Sequence, residues 1–202
     1  LYQMPLAFDV LGIYALKGDV KGEYGFTFDE YVQYVDQVCN GKNPMTHFNR
    51  KDILELLLGA MSNEFYDEDG NVDFQNESFY SLVDYCLNNV PEYFTWDDES
   101  SIYSSSRSFD GAGYSLGDGA LEYTQLYNIN PYIAISQKYK GEVGLYGLPS
   151  IDGRGPAIKI RNSIAISAAC SDYEGAKEFI KFFFTDDTQT IWDEMYTNSL
   201  MV

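Results

Sequence analysis

The sequence predicts an α/β fold, and three observations carry that expectation. Capped helical segments alternate with extended ones along the chain. Residues 142–149, EVGLYGLP, read as a strand ending at proline, and residues 157–169, AIKIRNSIAISAA, alternate as strands do. The 202 residues are 45 % hydrophobic and 16 % aromatic, enough for a sizeable core in one large or two small domains.

Residues 1–16, LYQMPLAFDVLGIYAL, are apolar, and Pro5 and Gly12 argue for two extended segments rather than one helix. A polar, glycine-rich loop follows to Gly25. Thr27 and Glu30 form a capping box, starting a helix that runs to about Cys39 with Phe28, Tyr31, Val32, Val35 and Val38 on one face. After a loop, Asn49 can cap a second helix with Asp52 at its third position. Ile53, Leu54, Leu56, Leu57 and Leu58 make that helix apolar nearly all round, so it should be buried.

A third helix spans 76–89, with Phe79, Leu82, Val83, Cys86 and Leu87 at helical spacing. Residues 96–119 are rich in serine, aspartate and glycine and are expected to be the mobile segment. Residues 120–123 read as extended, and 127–139 as a loop and a short helix. Ser171 and Glu174 make another capping box for a helix over 173–184, with Ala176, Phe179, Ile180 and Phe183 on one face. Thr185 restarts a helix.

The net charge of -18 repels nucleic acid and anionic membrane surfaces, leaving neutral or cationic small molecules, or proteins, as partners. Eighteen tyrosines and thirteen phenylalanines suit carbohydrate or other ring-shaped ligands, although most should be core. The three cysteines, Cys39, Cys86 and Cys170, form no zinc motif, and the first two are expected as buried apolar residues. His47, the single histidine, is expected to be structural or at the surface. No signal peptide or transmembrane run is present. The chain opens at Leu1 straight into an apolar segment, which suggests a piece of something longer.

Residues 66–79, YDEDGNVDFQNESF, raise the question of calcium. Counted from Asp67, the first, third and fifth ligand positions fit as Asp67, Asp69 and Asn71. Gly70 and Glu77 each fall one place early, so the sharp turn and the closing ligand both fail. A turn on Gly70-Asn71, a short extended piece and a helix capped by Asn76 is the better account.

The last third is more specific. Leu148-Pro149, the turn at Asp152-Gly153, the strand Ile164 to Ser167, Ser171, Ala176 to Phe182 and the Thr185 to Gln189 step occur in an order that resembles the sugar-binding extracellular solute-binding proteins of ABC importers. MPLAFDVLGIYALK is similar to that family's hinge strand, Gly25 to Glu30 to a helix start, and Gly119-Ala120-Leu121 to a later strand. Asp69-Gly70, Phe74 and Asn76 to Phe79 match a turn followed by a helix in many members. The resemblance covers nearly the whole chain, but whole members carry further segments before the hinge strand and after the last helix.

The resemblance implies a periplasmic-binding-protein-like (type II) lobe, with helices packed around a mixed sheet, as a fragment of a two-lobed fold. Residues 1–16 would be the hinge strand region, 17–148 a mostly helical second lobe, and 149–202 a return segment of the first lobe. It implies a non-enzymatic, monomeric, cofactor-free component that captures a carbohydrate between its lobes and docks on an ABC permease. The location would be extracellular, as a membrane-anchored lipoprotein, or periplasmic.

Carried over residue by residue, it makes Asp9 or Phe8 the hinge-strand contact, since alternation lets only one face the cleft. Phe48, Asn49 and Arg50 are candidates at the start of the second helix, where Asn49 serves equally as a plain cap. Tyr127, with Tyr123 close by, is the candidate for stacking on sugar, and each is equally readable as core. Arg154 and Arg161 flank the turn and strand without an assigned role. A non-sugar solute binder, a surface interaction module and a glycoside-processing enzyme are the rivals; the last needs two carboxyl groups at defined separation, which sequence cannot display.

Overall fold

A computed structural model describes residues 3–45, 48–67, 69–93, 116, 119–188 and 190–191, and the chain divides into two compact units. One comprises Gly12–Thr124 and Ile135–Ala157; the other comprises Leu1–Leu11, Gln125–Ala134 and Ile158–Val202. The elements in chain order are β1 (Met4–Leu16), β2 (Gly25–Thr27), α1 (Phe28–Gln37), α2 (Arg50–Ala60), a short 3-10 turn (Ser62–Phe65) and α3 (Glu77–Asn89). Then follow β3 (Glu122–Leu126), α4 (Asn130–Lys138), β4 (Val143–Ser150), β5 (Ala157–Ile164) and α5 (Tyr173–Phe182).

In the larger unit, β4 lies between β2 and β1. It runs antiparallel to β1, with Ile13 opposite Tyr146 and Leu16 opposite Val143, and parallel to β2. The sheet is therefore mixed, as expected. β1 is one continuous strand rather than two segments. Gly12 does not break it. An added Cβ there would stand 2.5 Å from the Tyr146 carbonyl oxygen, so glycine permits close approach of the two strands.

Local capping chemistry starts the helices. The Thr27 hydroxyl accepts from Glu30 N, and the Glu30 carboxylate accepts from Thr27 N. Asn49 and Asp52 repeat this reciprocal box on α2, and the Asn76 side chain accepts from Phe79 N on α3. The apolar faces meet in a core that includes Ile13, Tyr31, Val35, Ile53, Leu57, Leu82 and Leu121. α2 is less enclosed than its composition implies: only Ile53 and Leu57 are fully buried, and its other leucines are partly so. Val38 and Leu87, expected on buried faces, are exposed, and the adjacent Cys39 and Cys86 take the buried positions instead.

A polar knot crosses this core. The Tyr31 and Tyr85 hydroxyls are 2.8 Å apart, and Tyr85 donates to Asn43 Oδ1 at 3.2 Å. Asn43 in turn donates to Met45 O and accepts from Met45 N. Burial pushes the Tyr31 phenol well above its ordinary range. The knot satisfies polar groups that would otherwise destabilise the core.

In the smaller unit, β5 pairs with β1. α5 starts one residue after a cap different from the expected one: Asp172, not Ser171, accepts from Gly175 N at 2.9 Å. Asp172 stands immediately before the first helical residue, where its carboxylate reaches the orphan amides directly. No residue of α5 is buried, and Phe179 is 60 % exposed. Another side of α5 borders an apolar groove of about 680 Å³, lined by Met4, Pro5, Ile164, Ile166, Ile180 and Phe184 among others. Helix resumes at 186–188, as expected from Thr185. His47 and nearly all of the segment 96–119 lie outside the described residues.

Candidate functional site

β1 alternates. Ala7 and Asp9 are buried on one face, and Phe8, on the other, is half-buried. Asp9 is only 3 % exposed although it is a carboxylate in the middle of a strand. Its Oδ2 accepts from Gln125 Nε2 of β3 at 2.6 Å. Its Oδ1 stands 3.2 Å from Nε of Arg161 on β5, an ion pair whose angle falls short of a hydrogen bond. All three residues belong to the smaller unit. A buried carboxylate needs such partners, because its desolvation costs several kcal/mol otherwise.

Tyr127 belongs to the same unit and is 50 % exposed, a phenol ring open to solvent rather than core. Gln125 was not singled out by sequence reasoning. The signal was present: Tyr123 and Gln125 are two apart on β3 and share a face. Arg161, without a role on sequence grounds, joins Asp9; Arg154 instead closes its own turn through Asp152 Oδ1 at 2.8 Å.

The larger unit holds the remaining candidates. The Phe48 and Tyr123 rings meet edge-to-face with centroids 5.5 Å apart, and both pack against the core while staying partly exposed. Asn49 caps α2. Arg50 donates from Nε to Cys86 O at 3.0 Å and from Nη2 to Leu87 O and Val90 O. Its guanidinium thus satisfies the carbonyl end of α3. Near Tyr123, burial pushes the Glu122 carboxyl up to about 7.

Burial and the Asp19 charge push the Cys39 thiol up to about 12, and burial pushes Cys86 up to about 11. Asp67 Oδ1 accepts from the Asp69 and Asn71 amides, so its carboxylate organises the turn at Gly70. Those bonds hold its carboxyl below the usual range. Among the described residues, no three His, Cys, Asp or Glu side chains gather as metal ligands would, and no helix is long and apolar enough to cross a membrane. Within each unit these side chains present hydrogen-bonding groups or ring surface: Asp9, Gln125 and Arg161 in the smaller, and Phe48 with Tyr123 in the larger.

No protein-family model and no curated protein sequence matches the chain. Solved structures do. Over 96 % of its length the chain superposes on an extracellular solute-binding protein from Staphylococcus aureus in complex with maltose, with TM-score 0.53 and 16 % identity. Over 99 % it superposes on the apo-form of RafE from Streptococcus pneumoniae, with TM-score 0.52 and 15 % identity. It spans 52 % and 55 % of those chains, about half of each. The chain therefore shares its mixed α/β fold with about half of each of these two proteins.

Proposed function

We propose that this chain is part of the substrate-binding component of an ABC importer, and that it captures a carbohydrate and delivers it to a membrane permease. The observation that carries this reading is the shared fold with the Staphylococcus aureus protein, whose structure holds maltose. Asp9 with the side chains it holds in place, or Phe8 on the opposite face of β1, together with Phe48, Asn49, Arg50, Tyr123 and Tyr127, are the proposed binding residues. Residues 17–148 correspond in this reading to the second lobe, and 149–202 to a return segment of the first. Among the described residues the apolar surface of α5 has no cover, which is consistent with the chain being one part of a larger lobe. Residues 1–16 form its hinge strand. The component works without a cofactor, as a monomer, on the extracellular or periplasmic side of a membrane.

A thermal-shift screen of the intact protein against mono- and oligosaccharides tests this. A ligand that binds only the native state adds RT ln(1 + [L]/Kd), about 2.7 kcal/mol at a hundredfold excess over Kd. A rise in Tm with one sugar class is expected. A flat response across the panel would contradict carbohydrate capture and favour a non-sugar solute or an interaction surface.

A further inference from the structure

We propose that Arg161, rather than Asp9, is the residue that touches the solute, and that Asp9 and Gln125 are positioning residues which make the contact selective for neutral over acidic sugars. The proposal rests on the carbohydrate-binding reading above.

Accessibility comes first. Asp9 Oδ1 is buried, and Oδ2 is engaged by Gln125, so a solute does not reach this carboxylate directly. The Arg161 side chain keeps 33 % of its surface exposed. Nε faces Asp9, and its terminal nitrogens hydrogen-bond no described residue. Four N–H donors are thus open at the far end of a guanidinium whose near end is fixed. A fork held in this way loses little freedom when it binds.

The choice of solute follows from charge. A free guanidinium prefers a carboxylate or phosphate, with which it forms bidentate charged bonds. Here the buried Asp9 charge already lies beside the guanidinium, so the pair is neutral overall. An incoming anion would meet Asp9 at short range, within a chain of net charge -18. Hydroxyl oxygens of a neutral sugar accept from the terminal nitrogens without that repulsion. Gln125 fixes the carboxylate from its other side, which keeps the negative charge directed at Arg161.

The test uses the intact protein, with maltose, glucose and galactose as neutral probes and glucuronate and galacturonate as acidic ones, by titration calorimetry. Wild type should bind a neutral probe and prefer it to the acids. Arg161→Ala should lose at least tenfold in affinity, and Arg161→Lys, which keeps the charge and loses the fork, should lose nearly as much. Asp9→Asn should weaken the neutral sugar and strengthen the acidic one, inverting the ratio by tenfold or more; a purely structural role for Asp9 would leave that ratio unmoved. Circular dichroism checks that each variant is folded. Full affinity in folded Arg161→Ala or Arg161→Lys, or an unchanged ratio in Asp9→Asn, would overturn the proposal while leaving sugar binding intact. If wild type binds none of the probes, the carbohydrate reading fails and this proposal fails with it.

Discussion

Asp9 of β1 and Arg161 of β5 stand with Oδ1 and Nε 3.2 Å apart, although 152 residues separate them in sequence. Removing the carboxylate leaves an uncompensated guanidinium and a Gln125 amide without its acceptor. Breaking a buried pair costs about 3–5 kcal/mol, and the partial exposure of Arg161 places this one at the lower end. Asp9→Ala should therefore destabilise by about 3 kcal/mol in urea unfolding. A loss under 1 kcal/mol would mean that water already satisfies both partners.

Arg50 holds the carbonyl end of α3 through three hydrogen bonds. Arg50→Ala should cost about 2 kcal/mol, since bonds from a charged donor are worth about 1.5–3 kcal/mol. Arg50→Lys should recover less than half of that, because a single ammonium cannot span three carbonyls. Equal stability of the Lys variant and wild type would show that charge alone matters.

Glu122 gives the fold a pH dependence. Its carboxyl is raised from 4.5 to about 7 by burial, so between those values the folded state binds more protons than the unfolded one. Its contribution is fully present below pH 4.5 and is lost as pH rises through 7. The loss is on the order of 3 kcal/mol. Glu122→Gln should flatten this part of the stability profile, measured as Tm between pH 4.5 and 8. An unchanged slope would assign the pH dependence to other groups.

Cys170 is exposed, whereas Cys39 and Cys86 are buried and their thiols are raised. A thiol reagent at pH 8 should label Cys170 alone in the native protein, and all three cysteines after denaturation. Rapid native labelling of Cys39 or Cys86 would place them outside the core.

Much of this fold is legible in the sequence because its signals are local. The boxes at Thr27 with Glu30 and at Asn49 with Asp52 act over three residues, and each appears where its pattern predicts. The Gly70 turn and the Asn76 cap are local in the same way. The polar cluster is different. Asp9, Gln125 and Arg161 meet only after β1, β3 and β5 have formed, and no spacing rule predicts that meeting. The continuity of β1 depends on Tyr146, far along the chain, which decides whether Gly12 is a break or a close approach. The Asp172 cap was missed for a smaller reason: two capping residues stand side by side, and one residue of offset decides between them.

The most direct measurement is equilibrium dialysis of the intact protein against the sugar that gives the largest thermal shift, followed by chemical analysis of the recovered sugar. Solute capture predicts one molecule bound per protein and recovered unchanged. No retained sugar, or a sugar recovered as cleavage products, would contradict it.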